Sequence, residues 1–203
     1  MASQAQIKFH ELIKRAALLS GQAGKFRRSQ DSEAKAVFLH AALTTQVAAW
    51  DVYIKALVIE YFSVITNIPD VRYMALHDLC QQAMERAEKK LNTPNSENSR
   101  TFFIQHTGFD PWPSWSPINF GLITFSSSLL VRERLDEVLK LRHSFAHGSA
   151  MPLYSWNGNT TGSAQLTCAT VKITGKFFTD ICMKTDVAMA THISFQHGIP
   201  KPW

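Results

Sequence analysis

The chain has no long hydrophobic run. Its longest uncharged stretch in a helical segment, Ala36 to Trp50, falls short of the roughly 20 residues a membrane-spanning helix needs. It is also interrupted by His40, Thr44, Thr45 and Gln46. Cysteine is scarce: Cys80, Cys168 and Cys182 are odd in number and far apart, with no C-x-x-C pair, which excludes a disulfide framework and fits a reducing compartment. Glycine is thinly spread, so there is no Gly-rich phosphate loop, no Walker motif and no nucleophile elbow. Internal repeats and low-complexity tracts are lacking too. Met1 to Gln6 carries neither a basic n-region nor an apolar h-region, so no signal peptide is read. Together these absences lead to the expectation of a soluble cytoplasmic protein that does not engage a membrane.

What remains is an ordinary globular composition. Hydrophobic residues make up 45% and charged residues 18% of 203 positions, enough for one domain with a real core, here taken as residues 1–203. The formal charge is +5, from 21 basic and 16 acidic residues. A mild basic excess suits polyanionic partners such as RNA, although it is also common in proteins with no such partner. Only Lys25, Arg27 and Arg28 cluster tightly.

Apolar spacing follows the helical period in each long segment. Gln6 to Gln22 reads as a first helix with Ile7, Leu12, Ile13, Ala16 and Leu19 on its apolar face. Asp31-Ser32-Glu33 offers capping chemistry for a second helix reaching about Val64. Its stripe is Leu43, Val47, Trp50, Ile54, Leu57 and Tyr61. Asn67-Ile68-Pro69-Asp70 predicts a turn, and Val71 to Leu91 a third helix whose second half is solvated. Residues 92 to 120 hold Pro94, Pro111, Pro113, Pro117, Trp112 and Trp115. They predict a long connection with room for a short helix over Asn98 to His106. Connections of this length are often functional, and a Trp-rich lid over the core is the plainer reading. Leu122 to His147 predicts the fourth helix, bent at Ser126-Ser127-Ser128. Pro152 to Thr170 predicts a loop or small hairpin, and Thr174 to Gln196 a last helix. The fold class expected is all-α: an up-and-down helical bundle of about five helices with a long Pro/Trp-rich loop before the fourth.

The segment that carries chemistry is Arg142-His143-Ser144-Phe145-Ala146-His147-Gly148. Successive helix residues turn by about 100°, so Leu135, Val138, Leu139, Arg142 and Ala146 share one stripe. Arg142 thus stands where a leucine is expected. A buried guanidinium is costly unless paired or facing a polar crevice. His143 and His147 are four apart and neighbour one another on the helix.

RNA can be cleaved by its own 2′-hydroxyl. The reaction needs a base for the 2′-OH proton, an acid for the leaving 5′-oxygen and a cation for the crowded phosphorane. Histidine, which ordinarily titrates near pH 6.5, suits the proton transfers. Arginine binds phosphate in bidentate fashion and stabilises developing charge. Arg142 and His147 differ by about 140° around the helix axis and about 7.5 Å along it, which is half of a comfortable site.

The heptapeptide resembles the R-x4-H motif of the HEPN superfamily, small helical domains that are often ribonucleases. Ala49-Trp50-Asp51-Val52-Tyr53-Ile54-Lys55 resembles the second helix of the RiboL-PSP-type HEPN group. Thr93-Pro94-Asn95-Ser96-Glu97-Asn98, followed by Gly108-Phe109-Asp110, resembles that group's middle loop. The resemblance spans roughly residues 35 to 150. It implies a metal-independent endoribonuclease with no cofactor, in which Arg142 and His147 are catalytic. It also implies a homodimer with two R-x4-H motifs facing one cleft, and RNA as substrate. A bacterial defence or toxin–antitoxin setting follows from it, with an antitoxin or defence-system partner. His143 takes a supporting or phosphate-binding role, and Asp51 is placed to pair with Arg142.

Plainer readings stand beside these. Arg142 also suits the negative end of its helix, His147 also suits the position before a Gly148 cap, and Asp51 also suits a solvated helix face. The His143-x3-His147 spacing is that of two zinc ligands, but no third ligand is evident in the sequence. A non-catalytic HEPN module that binds RNA or a partner protein is the remaining alternative.

Overall fold

In a computed structural model the chain is described over residues 1–26, 31–66, 71–92, 94–147, 153–154, 162–163 and 166–203. Six α-helices are present among the described residues: α1 (Gln4–Ala23), α2 (Ser32–Ile65), α3 (Val71–Lys90), α4 (Ser96–Thr107), α5 (Ser128–His147) and α6 (Cys168–His197). A 3-10 turn at Trp112–Trp115 leads into a hairpin of β1 (Ile118–Phe120) and β2 (Ile123–Phe125). A two-residue pair joins β3 (Leu153–Tyr154) to β4 (Gly162–Ser163). The expected helical bundle is therefore the fold.

α2 is the axis of the bundle. At 34 residues it is about 51 Å long. The stripe read from the sequence is buried throughout: Leu43, Val47, Trp50, Ile54, Leu57 and Tyr61 are all at most 6% exposed. Cross-links set the direction of its neighbours. Glu60 accepts from the backbone N–H groups of Gln4 and Ala5, and Phe9 meets Tyr53, so α1 runs antiparallel to α2. His40 stacks on Phe145, while Trp50 donates to the Pro94 carbonyl beside Ser96, which Asp136 holds. α5 is therefore antiparallel to α2 as well. Gln46 donates to the Val171 carbonyl and Tyr53 to the Cys182 carbonyl, which makes α6 parallel to α2. The core is thus up-and-down: α1 and α5 one way, α2 and α6 the other.

Local chemistry fixes the helix ends. Ser3 caps α1 by accepting from Gln6 N–H, and Asn95 caps α4 by accepting from Asn98 N–H. Thr167 and Thr170 form a reciprocal capping box at the start of α6, satisfying donors that a helix start otherwise leaves open. That cap places the start of α6 at Cys168, well ahead of the expected Thr174.

Three expectations are corrected. The fourth long helix starts at Ser128, not Leu122, because residues 118–125 form a hairpin. Its turn uses Gly121 at φ 63°, where a Cβ would lie 3.2 Å from Ile173 Cδ1, so the turn needs glycine both for its backbone and for its approach to α6. On α1 the inward face is Ala5, Phe9, Ala16 and Ala23, with Ile7 43% exposed. Of the expected face Ala16 is buried and Leu12, Ile13 and Leu19 pack partly buried against the core; only Ile7 is turned outward, and Phe9 takes the inward place. The second half of α3 is not wholly solvated, since Met84 is buried.

The 92–120 connection is structured by α4 and the 3-10 turn. Trp115 is fully buried against Trp50 and donates to Thr185 Oγ1 at 2.9 Å, as expected of a lid over the core. The turn read at Asn67–Asp70 and the Gly148 cap lie outside the described residues. Among the described residues, no helix is long and apolar enough to cross a membrane.

Candidate functional site

α5 carries the site. Its inward side is set by Val131, Leu135, Val138 and Leu141, all fully buried. Arg142 follows on this side and is half-buried. Its Nε is shielded from solvent and has no hydrogen-bond partner among the described residues. A buried donor left open costs about 1–3 kcal/mol, so this guanidinium is held at the helix end at the expense of stability. His143, next to it, is exposed. His147 is the last residue of the helix, and its side chain lies outside the described residues.

The structure does not bring Asp51 to Arg142. Asp51 Oδ2 accepts from Lys55 Nζ at 3.1 Å, an i,i+4 pair within α2. It lies eleven residues beyond His40, about 16 Å farther along the helix axis. Because α2 and α5 are antiparallel, that distance carries it away from the motif end of α5. Its Oδ1 is buried without a partner.

His40 takes the place next to the motif. Its ring stacks on Phe145 with centroids 3.5 Å apart and planes inclined by 27°. Burial pushes its pKa below the usual histidine value, which keeps the ring neutral at neutral pH. Sequence reading treats His40 only as a polar interruption of an apolar run. No spacing rule links it to a heptapeptide a hundred residues away; only the antiparallel packing of α2 and α5 does.

The basal half of α5 holds further cations. Arg132 lies over the Trp112 ring at 3.7 Å and Arg100 over the same indole at 4.1 Å, so the ring is contacted by two guanidinium groups, whose charge its π-face attracts. Arg100 also donates from Nε and Nη2 to Asp110 Oδ2 at 3.0 and 2.7 Å. Arg132 Nε is buried without a hydrogen-bond partner. Arg132 and Arg142 are about 80° apart around α5 and about 15 Å apart along it. Arg134 reaches Glu137 at 3.1 Å and lies over Phe120. Burial lowers the Arg134 pKa and raises that of Glu137, with each partner's charge opposing the shift.

Chemically, the helix end offers a half-buried guanidinium with a free donor, an exposed imidazole at position 143 and a second, neutral imidazole at position 40. That set suits an anionic ligand. Among the described residues no three His, Cys, Asp or Glu side chains gather as a metal-ligand set. Compared with protein-family models, with curated proteins and with solved structures, the chain matches none.

Proposed function

We propose that this chain is a metal-independent endoribonuclease of HEPN type. In this reading Arg142 and His147 act across a homodimer cleft and cleave RNA by 2′-OH attack. Arg142 carries the proposal: a half-buried guanidinium whose Nε has no hydrogen-bond partner among the described residues, on the helix that bears the R-x4-H motif. A phosphate supplies what that donor lacks. Arg142 binds the scissile phosphate and neutralises the charge that builds on it. The two His147 side chains of the dimer divide the acid and base roles. His143 touches phosphate or orients the leaving group, and the His40–Phe145 stack supports the end of α5. Two motifs on one symmetric interface supply what a single helix end cannot. A bacterial defence or toxin–antitoxin role, with an antitoxin or defence-system partner, belongs to the same reading.

The experiment is cleavage of a broad RNA pool in the presence of chelator, with products checked for a 2′,3′-cyclic phosphate. His147→Ala is expected to slow cleavage by about 10²–10⁴-fold and Arg142→Ala by about 10²–10³-fold, with both variants folded. Unchanged cleavage by His147→Ala rejects His147 as catalytic. Activity that needs added metal rejects the metal-independent route. RNA binding without cleavage by the unaltered chain points instead to a non-catalytic module. A strict monomer by light scattering that still cleaves removes the shared cleft.

A further inference from the structure

A second site lies on the other side of the bundle, where the first three turns of α6 face α1 and α2. It is an open-sided cleft of about 490 Å³, within the size range of small-molecule sites. No α5 residue lines it. The cleft exists because the facing positions are small. Ala17 and Gly21 on α1 oppose Val171 and Gly175 on α6, with Ile13 closing the apolar floor. A Cβ added at Gly21 meets nothing within 4 Å. Packing is broken here: Val171 belongs to a small apolar cluster with Ala23, Leu39 and Ala42 that is separate from the main core.

Two polar features show what the cleft accepts. The first is Gln46, a wall residue only 3% exposed. Its Nε2 donates to the Val171 carbonyl at 2.8 Å, which fixes the orientation of the amide. Gly175 makes room for that contact, since a Cβ there would lie 2.8 Å from Nε2. Oε1 is left buried with no partner, an acceptor waiting for a donor. The second feature is charge. The charged residues of the lining are Lys172 and Lys176, both exposed. Lys176 is paired with Asp180 at 2.9 Å. Lys172 stands beside the N-terminal turn of α6, whose aligned peptide dipoles also favour an anion.

We propose that this cleft binds an anionic amphiphile: a single aliphatic chain lying along Ala17, Gly21, Val171 and Gly175, with its acidic head at Lys172. From Cys168 to Thr179 the α6 wall runs about 16 Å, the reach of a medium-length acyl chain.

The test is calorimetric titration of the full chain with dodecanoate below its micellar concentration. One saturable site per chain is expected. Hexanoate is expected to bind weaker by roughly fourfold per methylene removed. Dodecanol, which lacks the charge, and the exposed variant Lys172→Glu with dodecanoate should each lose about five- to tenfold. Gly21→Leu, which fills the cleft, should abolish binding while leaving the melting temperature at or above that of the unaltered chain. No saturable binding overturns the proposal. So does equal binding by folded Gly21→Leu, or equal affinity for dodecanol and dodecanoate. Association with phosphatidylglycerol vesicles but not with monomeric dodecanoate overturns it in favour of a lipid surface.

Discussion

α6 and α5 both carry buried polar groups, and they differ in how completely those groups are paired. On α6, polar groups are satisfied by other elements. Asp186 accepts from the Ser3 backbone N–H and hydroxyl, Thr185 from the Trp115 indole, the Cys182 carbonyl from Tyr53 and the Val171 carbonyl from Gln46. These contacts tie α1, α2 and the 92–120 segment to one helix. On α5, Asp136 holds Ser96, but Arg132 and Arg142 each keep a shielded Nε with no hydrogen-bond partner among the described residues, and Asp51, across on α2, keeps such a carboxylate oxygen. Buried donors are normally paired, and exceptions ask for a reason. α6 thus uses its polar groups to hold the bundle together. α5 leaves the Nε donors of two of its cations without a hydrogen-bond partner among the described residues, although Arg132 still packs on the Trp112 ring.

The largest effect is expected where the 92–120 segment meets α6. Trp115→Ala removes a fully buried indole and its hydrogen bond to Thr185. It should cost about 3–5 kcal/mol, read from urea unfolding. A loss below about 1 kcal/mol would mean that the 92–120 segment does not anchor α6 to the core. On α5, Arg142→Met replaces a half-buried cation with an apolar chain of similar length. Removing a shielded donor that lacks a partner should leave stability within about 1 kcal/mol of the unaltered chain, on the stabilising side, while the proposed RNA cleavage is lost. A destabilisation above about 2 kcal/mol would show that Arg142 holds the bundle after all, and the contrast between the two helices would fail.

The smallest effect is on pH. Burial lowers the pKa of His40, of His106 and of His197, the last also disfavoured by the charge of His192. Between those folded values and the unfolded value of 6.5, the unfolded chain binds protons that the folded chain refuses. Stability is therefore greatest above 6.5 and falls as the pH drops through the folded values. Melting temperatures should decline by a few degrees on acidification across this window, and His40→Phe should reduce the decline. An unchanged slope in that variant would place His40 in a more open setting than its stack on Phe145 describes.

Much of this protein is legible in the chain because helices are local. The period of apolar residues over α2, the proline and tryptophan punctuation after α3 and the absence of any long hydrophobic run are each written within a few turns, and the folded chain keeps them. Caps are harder to read. The Thr167–Thr170 box depends on two side chains reaching back to the backbone, and it sets the start of α6 ahead of where periodicity alone puts it. The hairpin at 118–125 escapes a reading of the sequence because three-residue strands are too short to show alternation, and because its turn glycine answers to Ile173, fifty residues away. On α1 several apolar residues compete for one interface, and only packing against α2 and α6 chooses Phe9 over Ile7.

The candidate site divides along the same line. The order Arg142, His143, His147 and the place of Arg142 on an inward stripe follow from the sequence alone, since helical geometry follows from spacing. That Asp51 is held by Lys55, that His40 stacks on Phe145 and that Arg132 lies over Trp112 are settled only once α2, α4 and α5 come together. Contacts between distant residues depend on which helices are neighbours and which way they run, and neither is encoded within a single helix.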